Sequence, residues 1–245
     1  LKSMVKAGCR VKLFTFGPVD NMPRSVERHD AARILSKDVF RRLDPHFPAL
    51  RSKVTIQQYS DIFRIALMKH CEGFWLDTDV LMLKPFSPPA DRPFLARENR
   101  SRLGVSALFF PPAHPVIAEF DAYVAGQAKL PPWLGFRRRV LRPLLYRLTG
   151  RDLSLAEAGI TIFGNDGLTR LGHRYGYFRD AAPKKTFYWL NGKGTLAFYD
   201  PAFDFQPLFG PGVYGFHVHM KGPSEAAPQP GSFYDWAVRH VADVE

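Results

Sequence analysis

Asp77 and Asp79 stand one residue apart in the run Phe74-Trp75-Leu76-Asp77-Thr78-Asp79-Val80-Leu81-Met82-Leu83-Lys84-Pro85-Phe86. Phe74 to Leu76 reads as a short buried strand, so both carboxylates are delivered at its end, inside an apolar frame where an unpaired carboxylate is costly. A hard divalent cation with oxygen ligands neutralises such a pair and leaves room for phosphate oxygens as further ligands. The same two residues would also suit an acidic turn in solvent. Near the other end of the chain, Val213-Tyr214-Gly215-Phe216-His217-Val218-His219-Met220-Lys221 reads as a strand, on which His217 and His219 point to one face. A single histidine there would be as well explained as a hydrogen-bonded core residue; two beside Lys221 make a site the better reading.

The element ahead of the aspartates is helical. In Ser60-Asp61-Ile62-Phe63-Arg64-Ile65-Ala66-Leu67 the apolar residues fall at helical spacing, Ser60 or Asp61 is a candidate N-cap, and Asp61 and Arg64 lie three apart on one side of the first turn. Taken together, Ser60-Asp61-x-x-Arg64, Gly73-Phe74-Trp75-Leu76-Asp77-Thr78-Asp79-Val80 and Lys84-Pro85-Phe86 resemble the DXD-motif sugar transferases of glycosyltransferase family 32, which include α-galactosyltransferases, yeast-type mannosyltransferases and, more distantly, glucosylating toxins.

The resemblance implies a GT-A fold, Rossmann-like, with a mixed, mainly parallel sheet flanked by helices. It implies a retaining transfer of a sugar from a nucleotide-sugar, UDP-sugar first, to a hydroxyl of a glycan, glycolipid or other lipid-linked acceptor, with Mn2+ or Mg2+ as cofactor. Asp77 and Asp79 would hold the metal and the donor. His217 would complete the shell, with His219 as the alternative, and Lys221 would add positive charge at the phosphates. Asp61 and Arg64 would grip the hydroxyls of the donor sugar. Ile160-Thr161-Ile162-Phe163-Gly164-Asn165-Asp166-Gly167-Leu168-Thr169 resembles the family's Gly-Pro-x-x-Leu-Thr turn into a helix, with Asn165 where proline is common. There Asp166 would face sugar or acceptor, or cap the helix that follows. The family's strand near 105–110 usually carries an Asn towards the donor sugar; Ser106 or Gly104 falls there instead. In the family the first helix follows a strand with nucleotide contacts, so the helix at Leu1 implies that this strand is missing here.

Composition sets the frame. A chain of 245 residues holds one substantial core, or one with an inserted subdomain; we expect a single catalytic domain over 1–245 with a basic helical insert at 130–158. The net charge of +11 asks for an anionic partner. A nucleic-acid-binding module has the charge but not the motifs, and no nucleic acid is expected; a hydrolase using Asp77, Asp79 and His217 would share the metal centre. No P-loop is present and no Gly-x-Gly-x-x-Gly follows a strand, which argues against an ATPase or a dehydrogenase. Cys9 and Cys71 form no disulfide framework, so a cytoplasmic, reducing location is expected, with no signal peptide and no spanning segment.

Along the chain, helix and strand alternate as a parallel α/β sheet requires. We expect a helix to Gly8, a strand over 11–16 and a loop over 17–28. A short strand or helical turn follows at 31–35, a helix at 38–43 and a loop over 45–51. Further on come an irregular proline-rich stretch at 85–93, a strand over 105–110, a helix over 115–125, a strand over 186–190, turns over 192–205 and a C-terminal helix from Ser232. In the insert, Trp133, Phe136 and leucines interleave with Arg137, Arg138, Arg139, Arg142 and Arg147. This suits a helix lying on an anionic membrane face, with Trp133 and Phe136 as its exposed aromatics, or a solvated helix packing its leucines on the domain; Pro143 would split it.

Overall fold

The computed structural model describes residues 1–44, 53–70, 73–126, 128–190, 192–218 and 228–245. Helix α1 (Lys2–Lys6) closes at Gly8, whose φ of 79° only glycine adopts without strain. Strand β1 (Lys12–Thr15) follows and pairs in parallel with β2 (Glu27–Asp30), from Lys12 opposite Glu27 to Thr15 opposite Asp30. The loop expected up to Arg28 therefore ends in a strand. Its four residues are all polar or charged, with every second one exposed, so hydrophobic alternation gives no sign of it. A single tight turn at Ala31–Arg33, capped by the Asp30 carboxylate, leads to helix α2 (Asp38–Leu43). The loop expected at 45–51 lies outside the described residues.

Helix α3 (Lys53–Met68) starts well before Ser60, so neither Ser60 nor Asp61 caps it. Asp61 and Arg64 sit in its middle, among Tyr59, Ile62, Phe63, Ile65 and Met68, which pack into the main core.

Strand β3 (Trp75–Leu76) pairs with β6 (Arg102–Phe109), which also pairs with β5 (Phe94–Asn99); β4 (Val80–Met82) pairs with β7 (Gly215–His217). All three of these pairings are antiparallel; among the described residues β1 with β2 is the one parallel pair of named strands, and an isolated parallel bridge joins Ala96 to Ala182. The fold is mixed α/β as expected, but the named pairings are not mainly parallel. The reason is long-range: β3 and β4 pair with β6 and β7, strands distant in sequence that run the opposite way. The strand expected at 186–190 is absent. Phe187 and Tyr188 are buried on all sides as filler behind β6, and a Cβ on Gly104 would come within 2.0 Å of the Tyr188 ring.

Helix α4 (Pro115–Ala125) has Pro115 in its first turn and His114 as its cap, with Val116, Ile117, Phe120 and Tyr123 buried. A wide π-type turn at Arg137–Leu141 runs into helix α5 (Arg142–Leu148). Pro143 thus falls in the first turn of α5, where its missing N–H costs little, and the insert is not split there. Short helix α6 (Leu155–Ala158) is held by a capping box between Ser154 and Glu157; α7 (Asn165–Tyr175) packs on β6 and α8 (Phe233–His240) closes the chain. Trp133 is not an exposed aromatic. It stacks on Phe120 at 4.6 Å, donates its indole N–H to the Ile162 carbonyl at 2.8 Å and is 3% exposed, whereas Phe136 is 67% exposed.

Between β1 and β3 lies a largely apolar cavity of about 430 Å³, lined among others by Val11, Leu13, Phe14, Phe63, Trp75 and Leu76. Among the described residues each of these two strands is paired along one edge only.

Candidate metal centre

β3 ends at Leu76, and Thr78 and Asp79 form a turn closed by the Val80 N–H donating to the Asp77 carbonyl at 3.0 Å. The turn hands the chain from one small sheet to another, because β4 begins at Val80 and pairs with β7. In that register Val80 faces His217, and the Val218 N–H donates to the Asp79 carbonyl at 3.0 Å. Two segments far apart in sequence are thereby clamped together. His217 Nε2 lies 3.5 Å from Asp79 Oδ2, and one ligand atom from each of Asp77, Asp79 and His217 falls within 4.8 Å of the others. The Asp79 side chain is half exposed, so the cluster opens to solvent on that side. Burial pushes the Asp79 carboxyl up, but the hydrogen bond and charge of His217 outweigh it and hold the group below the usual carboxylate range.

Asp77 is held from behind by three groups. Its backbone N–H donates to the Ser106 carbonyl at 2.8 Å, the Trp75 indole N–H donates to Oδ1 at 2.5 Å, and Arg64 Nη1 lies 3.4 Å from the same oxygen. Arg64 is itself locked: Nη1 donates to the Val105 carbonyl at 2.6 Å, Nη2 lies 3.2 Å from Asp61 Oδ1, and the guanidinium stands over the Trp75 ring. One guanidinium therefore serves two carboxylates. Asp61 is 2% exposed, and its Oδ2 is buried without a hydrogen-bond partner among the described residues. Burial drives its carboxyl up to about 7, against the pull of Arg64 and helped by the charge of Asp77.

This charge pattern tests whether a divalent cation suits the site. Asp61 and Asp77 share the guanidinium of Arg64 while Asp79 lies beside His217, and two carboxylates with an imidazole are hard and borderline donors that suit Mn2+ or Mg2+. The residues fit such a cation, which Asp77, Asp79 and His217 would hold.

The remaining expected residues are distributed as follows. Asp61 and Arg64 sit behind the aspartates, both buried, with each other and Asp77 as partners. Asp166 neither caps α7, whose cap position is Gly164, nor offers a free carboxylate: Oδ2 pairs with Arg138 at 2.5 Å and Oδ1 with Arg170 at 3.2 Å. It ties the basic insert to α7. Asn165 donates to the Leu103 carbonyl and to Glu98. Ser106 is buried and Gly104 is filled by Tyr188, so each serves packing of β6. His219 and Lys221 lie outside the described residues. Sequence reasoning missed Trp75 as a partner of Asp77, Gly164 against the Asp61 carboxylate, and Tyr188, whose hydroxyl accepts from the Ser106 N–H at 2.9 Å. Only the proximity of Trp75 to Asp77 in sequence hinted at any of these.

Compared with protein-family models, curated proteins and solved structures, the chain matches none. Among the described residues, no helix is long and apolar enough to cross a membrane.

Proposed function

We propose that the protein is a metal-dependent glycosyltransferase of the GT-A, family-32 kind, which moves a sugar from a nucleotide-sugar, UDP-sugar first, to a hydroxyl of a glycan, glycolipid or lipid-linked acceptor with retention of configuration. The observation that carries the reading is the convergence of Asp77, Asp79 and His217 at the end of a strand pair, open to solvent on the Asp79 side. Bound there, Mn2+ or Mg2+ supplies Lewis-acid stabilisation for the negative charge that develops on a diphosphate leaving group. The chain's own part is preorganisation. Arg64, Trp75 and the Ser106 carbonyl fix Asp77, and the β4–β7 register sets His217 beside Asp79, so neither side chain reorients during the reaction. Asp61 and Arg64, buried as they are, act in this reading as positioning residues for Asp77. In the transfer the bond from anomeric carbon to phosphate oxygen breaks, the bond to the acceptor oxygen forms on the same face, and the acceptor proton passes to the departing diphosphate.

Calorimetry with UDP, with and without manganese, tests the reading. UDP binding that requires manganese and is lost in Asp79→Ala is expected. Manganese-dependent UDP binding that persists in that variant would remove the metal assignment. Screening nucleotide sugars then identifies the donor, and release of free sugar from the donor with none transferred to any acceptor would make the protein a hydrolase instead.

A further inference from the structure

The geometry points to the arm formed by the Arg137–Leu141 turn and α5 as an interfacial helix that seats the protein on an anionic lipid surface. Neither piece contains a buried residue. Leu141, Leu144, Leu145 and Leu148 recur at the spacing of one helical face and are 43, 53, 61 and 76% exposed. With Phe136 and Val140 they make up six of the twelve exposed large hydrophobics among the described residues, all within 136–148, so this is a patch and not the scatter of single apolar residues that any surface carries.

The stripe faces away from the body. Arg139, Pro143 and Arg147, four apart, form the opposite face and line a shallow groove with Lys129, Asp152 and Leu153. The root is rigid: Arg138 pairs with Asp166 on α7, Arg139 donates to the Pro132 carbonyl, and the buried Trp133 anchors the approach. What covers the leucines has to tolerate cations beside them. The segment 136–151 contains six arginines and no acidic residue, and among the described residues no ion pair engages Arg137 or Arg142, which flank the stripe. Leucines pointing into acyl chains with arginines at the depth of acidic headgroups is the arrangement of a helix in a bilayer interface. A protein groove would need matching acidic residues around an apolar floor, and a second copy of this arm would bring arginines against arginines. Charge therefore selects an anionic membrane as the occupant. The inference does not depend on the proposed sugar transfer.

Sedimentation with phosphatidylcholine vesicles, alone or mixed with phosphatidylserine, decides the matter. We expect binding to the anionic vesicles only, weakened by salt. With each arginine near an acidic leaflet adding roughly fivefold to partitioning, Arg137→Glu with Arg142→Glu weakens it at least about tenfold. Leu144→Asn with Leu145→Asn, at exposed positions that leave the fold intact by circular dichroism, abolishes it. The thermal midpoint serves as a separate readout that these surface changes leave nearly unaltered. Absence of binding to anionic vesicles, or binding that both double variants retain, overturns the inference. So does a dimer seen by light scattering that the leucine variant dissolves, without vesicle binding, since the face would then join two copies.

Discussion

A Cβ placed on Gly164 would lie 2.4 Å from Oδ2 of Asp61, closer than side chains approach one another. The start of α7 thus rests directly on the buried carboxylate behind the candidate metal centre. Asp61 cannot swing aside freely, because its Oδ1 is engaged by Arg64. Gly164→Ala is expected to lower stability by about 1–3 kcal/mol through overpacking. It should also weaken manganese binding, since the strain passes through Arg64 to Asp77. An unchanged urea midpoint would show that the helix start yields.

The Asp61 carboxyl also makes stability depend on pH in an uncommon direction. Its ordinary value is 3.8 and its folded value about 7, so between these the folded protein holds a proton that the unfolded chain has lost. Stability from this group is therefore greatest at the acidic end and falls as pH rises from about 4 to about 7, with a slope approaching 1.4 kcal/mol per pH unit, and is level above that. Asp61→Asn should flatten this part of the profile in metal-free buffer. A variant with the same slope as wild type would move the titration to another group.

Trp133 and Phe136, three residues apart, should separate cleanly. Trp133→Ala opens a cavity beside Phe120 and leaves the Ile162 carbonyl without its donor, and is expected to cost about 3–5 kcal/mol. Phe136→Ala, at an exposed position, should stay within about 0.5 kcal/mol. Chemical denaturation of the two variants checks both, and similar losses would place Phe136 inside the core.

Trp75→Phe removes one hydrogen bond from Asp77 while keeping an aromatic ring under Arg64. Outer partners of metal ligands typically carry 10–100-fold in affinity. A drop in manganese affinity of about tenfold, with the thermal midpoint little changed, is the expected outcome by calorimetry. Wild-type affinity would reduce the indole contact to packing.

The candidate ligands stand out in the sequence where chemistry and spacing coincide. Asp77 and Asp79 announce themselves by an acidic pair in an apolar run, whereas only the family resemblance favours His217 over His219. That the three meet is expected from the resemblance alone, because it depends on the Val80–His217 register, a long-range pairing with no local signal. Other errors share a cause. β2 is invisible since an exposed edge strand needs no apolar residues, and Asp61 passes for a helix cap because Asp is common there, although α3 had begun at Lys53. Trp133 and Phe136 look alike in sequence; only the stacking on Phe120 tells them apart. The antiparallel turn-backs of β3 and β4 followed from pairing partners far along the chain, which alternation of helix and strand does not specify.

The groove between β1 and β3 also decides where the backbone meets water. No backbone ladder joins the two strands across it among the described residues, whereas β6 is paired along both edges, by β3 and β5. Amide hydrogens on the groove side of β1 and β3 should therefore exchange with solvent well before those of β6, which marks the two strands that border the groove as the first to open locally.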